Sequence, residues 1–405
     1  MRSLRDVRYT YRLRVSKTAA RALEKEWDGV RWVWNRCVEE SKKAYEASTP
    51  EHKVTCGPAE LDKLLTGWRG EHEWLAEGSS VPQQQVVRDF GKARAKALSD
   101  MKNRVPVTKR RGLPRFKSEH RAKPSLQYTK NGFSLKEDPE SAKLRLHLAG
   151  GVVVRPVWSR ALPSAPSSVR VHQDSVGDWW ASFVVKVHDE PLPATGRAIG
   201  IDWGVRAIAT TTTDAFDLSH REHGKSAAAK LARYQKMMAR RKPEPGHEAS
   251  KGYEEAKRQT ARVHRKVAWQ RQDDGRKWAK SVVRNFDQMA VEDFSPKFLT
   301  KSTMAKKAAD AAIATTKREL SSMAAKHCRE LSLVPPPYTT MDCSSCGART
   351  KHRLGLSQRI FACTSCGDVM HRDKNAAAVM VARAGFVPAG AESVRPEPQL
   401  VARAV

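Results

Sequence analysis

Residues 197–213 read RAIGIDWGVRAIATTTT, and this stretch decides how the second half of the chain folds. Two apolar, β-branched runs flank Gly-Ile-Asp-Trp-Gly, a pattern that predicts two strands paired around a tight turn. Asp202 then stands at the end of the first strand. Carboxylates at strand ends are held rigidly at one sheet edge, which suits a functional site. The motif is short, so a turn or surface role for Asp202 is equally compatible with it.

Two further carboxylates occupy comparable positions. Glu292 follows the apolar run QMAV at 288–291, and Asp373 begins the predicted helix DKNAAAVMVARAG. Divalent-metal phosphodiester chemistry needs carboxylates that converge from different elements on one or two Mg²⁺ ions. Taken alone, each acid fits a cap, a turn or the surface at least as well, and Asp373 suits a helix N-terminus.

Four cysteines form a second candidate metal site. Cys343-x2-Cys346 and Cys363-x2-Cys366 are separated by sixteen residues, the spacing of a four-thiolate zinc site. A glycine follows each pair and allows a tight knuckle. Two disulfides or buried free thiols are the alternatives. Four protein ligands would close the site, so a zinc ion here would be structural.

The composition restricts the partners of the chain. Among 405 residues, 74 Lys and Arg oppose 44 Asp and Glu, for a formal net charge of +30, and 40% are hydrophobic. Such a charge favours a polyanionic partner, most simply nucleic acid. No apolar run approaches the roughly 18 residues of a membrane span, and no apolar segment follows the basic start. We therefore expect an intracellular protein with reduced thiols and no membrane partner.

Two segments concentrate this charge. Residues 102–123 carry nine Lys or Arg against one Glu, and residues 225–285 carry 18 against six acidic residues. Solvated surface explains such runs, but the charge of the whole chain favours nucleic-acid contact. The candidate contact residues are Lys109, Arg110, Arg111, Arg115, Lys117, Arg240, Arg241, Lys242, Arg265 and Lys266.

The remaining pattern predicts a mixed α+β chain of several domains. A strand at 7–15 precedes helices that extend to about residue 102, and Trp27 and Trp34 form a stripe that suits either a core or base stacking. Short strands over 125–190 suggest a β-barrel with hairpin turns at Asn131-Gly132 and Gly150-Gly151. A helix is predicted through 318–331.

The order of the motifs resembles the split RuvC nuclease domain of the TnpB (OrfB) family. The resemblance rests on Gly-Ile-Asp-Trp-Gly at 200–204, Ala-Val-Glu-Asp-Phe at 290–294, the paired CxxC knuckles, and Arg-Asp-Lys-Asn-Ala-Ala at 372–377. Gly-Leu-Pro-Arg-Phe-Lys at 112–117 agrees with it. TnpB proteins are transposon-encoded RNA-guided nucleases, and miniature type V CRISPR effectors look like their descendants.

The resemblance implies an architecture. It predicts an RNase H-like (RuvC) α/β nuclease domain with an inserted zinc ribbon, preceded by a wedge-type β-barrel that carries a helical recognition insertion. The implied boundaries are 1–19 and 105–190 for the barrel, 20–104 for the insertion, 191–196 for a linker, 197–337 and 372–385 for the nuclease domain, 338–371 for the ribbon and 386–405 for a disordered tail.

The resemblance also implies a function. Asp202, Glu292 and Asp373 match the catalytic Mg²⁺ (or Mn²⁺) ligands, and the four cysteines match the zinc ligands. A prokaryotic, nucleoid-associated protein would bind a guide RNA, read a short motif beside its target and cut double- or single-stranded DNA. An RNA-guided binder that blocks DNA without cutting is the alternative, and both a monomer and a homodimer on one guide RNA stay open.

Two residues depart from the family pattern. His371 stands two positions before the third catalytic acid, where many relatives carry Asp, and Trp203 stands where a smaller aliphatic residue is common. Neither change removes a metal ligand. We therefore expect an intact nuclease in which His371 influences the rate or the pH dependence.

Overall fold

A computed structural model describes residues 4–49, 51–119, 121–138, 143–295, 302–352, 354–355 and 358–387. The chain divides into two compact units, residues 1–188 and 189–405, which are described separately below. Within the described ranges, every helix is too short or too polar to cross a membrane.

The first unit combines helices with a seven-stranded sheet. Its helices follow the first strand directly and precede the other six strands. The elements are β1 (Leu4–Arg14), α1 (Lys17–Glu46), α2 (Pro58–Glu71), α3 (Glu73–Ala76), α4 (Ser80–Lys102), β2 (Ser125–Thr129), β3 (Phe133–Glu137), β4 (Leu144–Leu148), β5 (Val153–Pro156), β6 (Ser168–Gln173) and β7 (Trp179–His188).

This sheet has the strand order β2-β6-β7-β1-β5-β4-β3, and its neighbouring strands are antiparallel. Alternate residues such as Tyr11 and Phe183 are buried in one core with the apolar faces of the helices. Trp27 of α1 belongs to this core and is 6% exposed, so the core interpretation of the tryptophan stripe is confirmed for it.

One predicted hairpin is present and the other is wrong. β4 and β5 pair across Gly150 and Gly151, which have φ angles of +93° and +79°. Asn131-Gly132 instead lies in a short 3-10 turn, and the strands beside it, β2 and β3, stand at opposite ends of the sheet. A turn dipeptide marks a local change of direction, whereas β2 is placed by its long-range pairing with β6.

The second unit contains the predicted strands around Asp202 and Glu292. Its elements are β8 (Ala198–Trp203), β9 (Ala207–Thr211), β10 (Leu218–Ser219), α5 (His223–Ser226), α6 (Ala228–Arg240), α7 (Lys251–Asn285), β11 (Gln288–Glu292), α8 (Ala305–Ala311), α9 (Ile313–Lys326), β12 (Glu330–Val334), β13 (Ile360–Ala362), β14 (Val369–His371) and α10 (Arg372–Arg383).

Five of these strands form a mixed sheet in the order β10-β9-β8-β11-β12. β8, β9 and β10 are antiparallel, whereas β8, β11 and β12 are parallel. The predicted helix through residue 331 is wrong at its end, where β12 begins. The helix ends at Lys326, Cys328 takes a positive φ of 54°, and residues 330–334 pair with β11. Sheet pairing therefore overrides the helical propensity of this segment.

Side chains of β8 alternate between the two faces of the sheet. Ile199 and Ile201 pack with α7 and α9 on one face. Ala198 packs with Met380 of α10 on the other. Phe386 joins this second cluster, so the tail predicted to be disordered from residue 386 begins with a packed side chain. The tail beyond residue 387 lies outside the described residues.

Gly200 of β8 permits a close approach of α10. A Cβ atom at Gly200 would lie 1.9 Å from the carbonyl oxygen of Ala377 and 2.8 Å from Cγ2 of Val381. Any side chain at position 200 would push the helix away from the sheet, because backbone atoms cannot move aside as a flexible side chain can.

We predict that Gly200→Ala lowers the free energy of unfolding by about 1–3 kcal/mol or more, since the added methyl group overpacks a backbone contact. Thermal unfolding and urea denaturation measure the effect. Gly67→Ala is the matched control, because no atom lies within 4 Å of its added Cβ in α2. It should leave stability unchanged or raise it by up to about 1 kcal/mol. Equal stability of the two variants would contradict the close approach.

Candidate active site and metal centre

Three carboxylates lie on the side of the mixed sheet that carries α10. Ile201 is in register with Val291, so Asp202 and Glu292 follow on adjacent parallel strands. Both share their face with Gly200, because side chains alternate along a strand. Asp373 is the second residue of α10, which packs against that face. The structure therefore brings together the three acids predicted from sequence.

The acids form one electrostatic cluster. The pKa of Asp202 is raised well above its usual range, chiefly by loss of hydration and then by the negative charges of Glu292 and Asp373, while Arg372 opposes the shift. Like charges in a poorly hydrated site disfavour joint ionisation. A divalent cation would relieve this repulsion, and carboxylate oxygens are the ligands that Mg²⁺ prefers.

Glu292 is almost fully buried, with 9% of its surface exposed. Loss of hydration raises the pKa of its carboxyl to about 7, and the nearby Lys317 counteracts part of that rise. The Lys317 ammonium donates to the carbonyl oxygens of Glu292 and Phe294, each at 3.0 Å. Backbone carbonyl groups thus hold Lys317 at the end of β11, and the Glu292 carboxylate oxygens stay available to bind a cation.

Asp373 is held by cationic groups from two directions. Arg372 Nε donates to one carboxylate oxygen at 3.1 Å, and Arg359 Nη1 reaches the other at 3.4 Å. The Asp373 backbone N–H donates to His371 Nδ1 at 3.3 Å, so His371 caps α10. The histidine that departs from the family pattern therefore has a local structural contact with the third acid.

Sequence reasoning missed the neighbours that fix this helix. Lys374 donates to the carbonyl oxygen of Thr211 at 2.8 Å and to Asp217 at 2.8 Å. Asn375 is fully buried and contacts the first cysteine knuckle. Arg372, Lys374 and Asn375 all lie in the RDKNAA segment that carried the family resemblance. The RDKNAA motif marks these residues in the sequence, but a sequence motif does not show which groups each residue contacts.

The four predicted cysteines converge. Their sulfur atoms all lie within 4.8 Å of one another, with 3.7 Å between Cys343 and Cys366 and 3.6 Å between Cys346 and Cys363. Four thiolates about 2.3 Å from a zinc ion at tetrahedral angles would be about 3.8 Å apart. The cluster could therefore hold a structural zinc ion.

The knuckle backbone supports that role. The glycines after each pair, Gly347 and Gly367, have φ angles of +74° and +78°, a region that residues with side chains rarely adopt. The backbone N–H groups of Cys366 and then Ser365 lower the pKa of Cys363 to about 6. These N–H groups favour the thiolate of Cys363, and the thiolate is the form of cysteine that binds metal.

The predicted nucleic-acid contacts are mostly exposed. Lys109, Arg110, Arg111 and Arg115 are exposed in the first unit, and Arg240, Arg241, Lys242 and Lys266 are exposed in the second. The guanidinium of Arg265 is 4.9 Å from the ring centroid of Trp269. Their nucleic-acid role stays a prediction.

Lys117 differs from the other candidates because its ammonium packs inside the first unit. Its Nζ lies 3.7 Å from the ring centroid of Trp34, and its backbone pairs with the side chain of Asn35. Loss of hydration lowers its pKa to about 8. Lys117 is therefore a cation–π contact of α1, in addition to any role toward phosphate.

We predict that the purified protein carries one zinc ion per chain and that Cys363→Ser loses it. Serine is a poor ligand for Zn²⁺, and a tetrahedral site with three thiolates binds the ion more weakly. Elemental analysis after dialysis measures the content. Cys328→Ser, which changes an exposed thiol outside the cluster, is the control and should retain zinc. Full zinc content in Cys363→Ser would contradict the site.

We also predict a pH effect of Glu292. A carboxyl whose pKa is raised to about 7 in the folded state stabilises the protein below its unfolded pKa, and this contribution is lost as the pH rises through 7. Without added Mg²⁺, Glu292→Gln should match wild type near pH 4, below the unfolded pKa of about 4.3, and unfold at a higher temperature near pH 8. Asp293→Asn, at an exposed neighbour, should behave alike at both pH values. An equal effect of Glu292→Gln at both pH values would contradict the shift.

Comparisons with known families agree with this arrangement. The OrfB family model, described as "Probable transposase", matches residues 182–303. A model described as "Cas12f1-like, TNB domain" matches residues 314–380, and one described as "Helix-turn-helix domain" matches residues 1–49. Together they cover more than half of the chain. The described part of residues 1–49 holds β1 and α1.

Two curated relatives align along most of their length. The chain is 28% identical over 396 residues to a "Putative RNA-guided DNA endonuclease" of Streptomyces pristinaespiralis, covering 96% of this chain and 92% of that protein. It is 26% identical over 384 residues to the "Putative RNA-guided DNA endonuclease InsQ" of Escherichia coli K12, covering 90% and 89%.

A solved structure shares the fold. The chain matches the Cas12f1 chain of a Cas12f1-sgRNA-target DNA complex with a TM-score of 0.53 and 14% identity, over 90% of this chain and 83% of that one. At that identity the match concerns the fold alone. The three family models and the order of motifs along the chain show that this protein belongs to the TnpB (OrfB) family.

Proposed function

We propose that the protein is an RNA-guided DNA endonuclease. It binds a guide RNA, reads a short motif next to the target, and cleaves DNA by Mg²⁺-dependent hydrolysis at one RuvC site. The observation that carries this proposal is the convergence of Asp202, Glu292 and Asp373 on one face of the mixed sheet. The names of the two curated relatives support the same activity.

The topology of the second unit supports an RNase H-like (RuvC) fold. Three antiparallel strands followed by two parallel strands place the acids of β8 and β11 side by side beneath α10. We assign residues 197–337 and 372–385 to this nuclease domain and residues 338–371 to a zinc ribbon inserted into it. In the first unit, we assign the sheet to the wedge-type barrel and residues 20–104 to its recognition insertion.

The donor set fits a hard divalent cation. Asp202, Glu292 and Asp373 would hold Mg²⁺ or Mn²⁺, which would supply charge stabilisation at the attacking and leaving oxygens of the phosphodiester. The chain itself must release protons to bind the ion, because burial raises the pKa of both Asp202 and Glu292. Arg359 and Arg372 orient the Asp373 carboxylate, and their positive charges favour a phosphate nearby.

The partners follow from the charge and from the relatives. A net charge of +30 suits two polyanions, a guide RNA and a DNA target, better than one duplex. The exposed basic residues 109–111 in one unit and 240–242 in the other are proposed contacts with these strands. We place the protein with its DNA in the prokaryotic cytoplasm. The mass of the purified ribonucleoprotein distinguishes one copy on a guide from a homodimer.

We predict that Asp202→Ala abolishes cleavage of a guide-matched target while guide RNA and target binding are retained, because the substitution removes a metal ligand. RNA that copurifies from the native host supplies the guide sequence. Cleavage is followed on a labelled duplex in Mg²⁺, and binding by gel shift. Glu330→Gln, at an exposed carboxyl on β12, is the control and should cut like wild type.

Two results would contradict the proposed function. Equal cutting by wild type and Asp202→Ala would remove Asp202 from the site. A stable guide-dependent DNA complex of the wild type that yields no product in Mg²⁺ or Mn²⁺ would favour the alternative, an RNA-guided protein that blocks DNA.

A further inference from the structure

Asn375 connects α10 to the first cysteine knuckle. Its side-chain oxygen accepts a hydrogen bond from the Ser344 backbone N–H at 2.9 Å, and its side-chain nitrogen donates to the Asp342 carbonyl at 2.7 Å. These two backbone groups flank Cys343. Asn375 is fully buried, so both hydrogen bonds are shielded from water and the amide has one fixed orientation.

Asp342, whose carbonyl accepts the hydrogen bond from Asn375, is itself held in place by two arginine side chains. The Asp342 carboxylate receives Arg349 Nε at 2.6 Å and Arg383 Nη2 at 2.6 Å. Arg383 is the last residue of α10 and also donates to the Pro337 carbonyl at 2.8 Å. The segment before Cys343 is thus bound at both ends of α10, through Asn375 at its start and Arg383 at its end.

The second knuckle reaches the same helix through the chain itself. β14 leads from Cys366 to His371, and α10 begins at the next residue. β13 leads into Cys363, and just before it the carbonyl of Arg359 accepts the Arg372 N–H at 2.7 Å. Both knuckles therefore attach to the first turn of α10.

Asp373 lies in that turn, between these attachments and the sheet. On the opposite side Lys374 is bound to Thr211 and Asp217. A metal-binding carboxylate must keep its position within about 0.5 Å, which requires neighbours that are themselves fixed. Asn375 supplies the side-chain hydrogen bonds between this turn and the first knuckle.

We propose that the four-cysteine cluster positions Asp373 for the divalent cation, and that Asn375 is the positioning residue that transmits the order of the first knuckle to it. The inference rests on the proposed function, since it concerns the metal of the same nuclease site. It assigns the cluster a role in the catalytic centre, beyond stabilising its own fold.

The experiment compares Asn375→Ala with wild type and with Asn285→Ala as guide-bound complexes. Asn375→Ala removes both hydrogen bonds to the knuckle. Asn285→Ala is the matched control, because it makes the same substitution at an asparagine whose side chain donates to the Ser281 carbonyl within α7, away from both metal sites. Three quantities are measured: zinc content, Mn²⁺ affinity by electron paramagnetic resonance, and cleavage against Mn²⁺ concentration.

We expect Asn375→Ala to retain its zinc and to bind Mn²⁺ about 10- to 100-fold more weakly, the usual cost of losing an outer-sphere partner. Its half-saturating Mn²⁺ concentration for cleavage should rise by the same factor, while the rate at saturation recovers toward wild type. Asn285→Ala should match wild type in all three measurements.

Wild-type Mn²⁺ affinity in zinc-loaded Asn375→Ala would overturn the inference. If Asn375→Ala fails to fold or loses its zinc, Asn375→Ser decides, because its hydroxyl adds no charge and is too short to bond both the Ser344 N–H and the Asp342 carbonyl. Weaker Mn²⁺ binding by folded Asn375→Ser supports the inference, and unchanged binding overturns it. If the wild type binds Mn²⁺ but cuts no DNA, the proposed function is contradicted. The inference about Asp373 is judged separately, from the Mn²⁺ affinities alone.

Discussion

The close approach of α10 to β8 at Gly200 is the contact on which the site depends. The carbonyl oxygen of Ala377 lies 1.9 Å from the position that a Cβ atom at Gly200 would take. Asp202 lies two residues after Gly200, on the same face of the strand, and Asp373 lies about one helical turn before Ala377. One missing methyl group therefore sets the distance between an acid of the sheet and an acid of the helix.

That proximity has an electrostatic cost. Burial and mutual repulsion raise the pKa of Asp202, and burial raises that of Glu292 to about 7, so the acids resist joint ionisation. The surrounding cations compensate in part: Arg372 and Arg359 contact Asp373, and Lys317 is bound at the end of β11. A cation that binds this site in the folded protein, but not in the unfolded chain, stabilises the fold. Folding and metal binding are therefore linked.

Local patterns in the sequence were sufficient for much of the site. Alternation and a turn motif placed Asp202 at a strand end, and cysteine spacing identified the cluster, because both properties depend on neighbouring residues. The first two residues of β12, Glu330 and Leu331, are predicted as the end of a helix, since the parallel pairing of β12 with β11 involves residues some 40 positions away. Asn375 was missed for the same reason: its partner Ser344 is 31 positions distant. The domain boundaries and the nucleic-acid contacts stay predictions.

The convergence of Asp202, Glu292 and Asp373 on one divalent cation is tested most directly by replacing Mg²⁺ with Fe²⁺, adding hydrogen peroxide and ascorbate, and mapping where the hydroxyl radicals that Fe²⁺ forms from the peroxide cut the protein backbone. Binding of one ion by all three acids predicts cuts in three separate segments, near residues 202, 292 and 373, all suppressed together by excess Mg²⁺. Cuts near only one of these segments, or cuts that Mg²⁺ does not suppress, would show that the three acids do not share an ion.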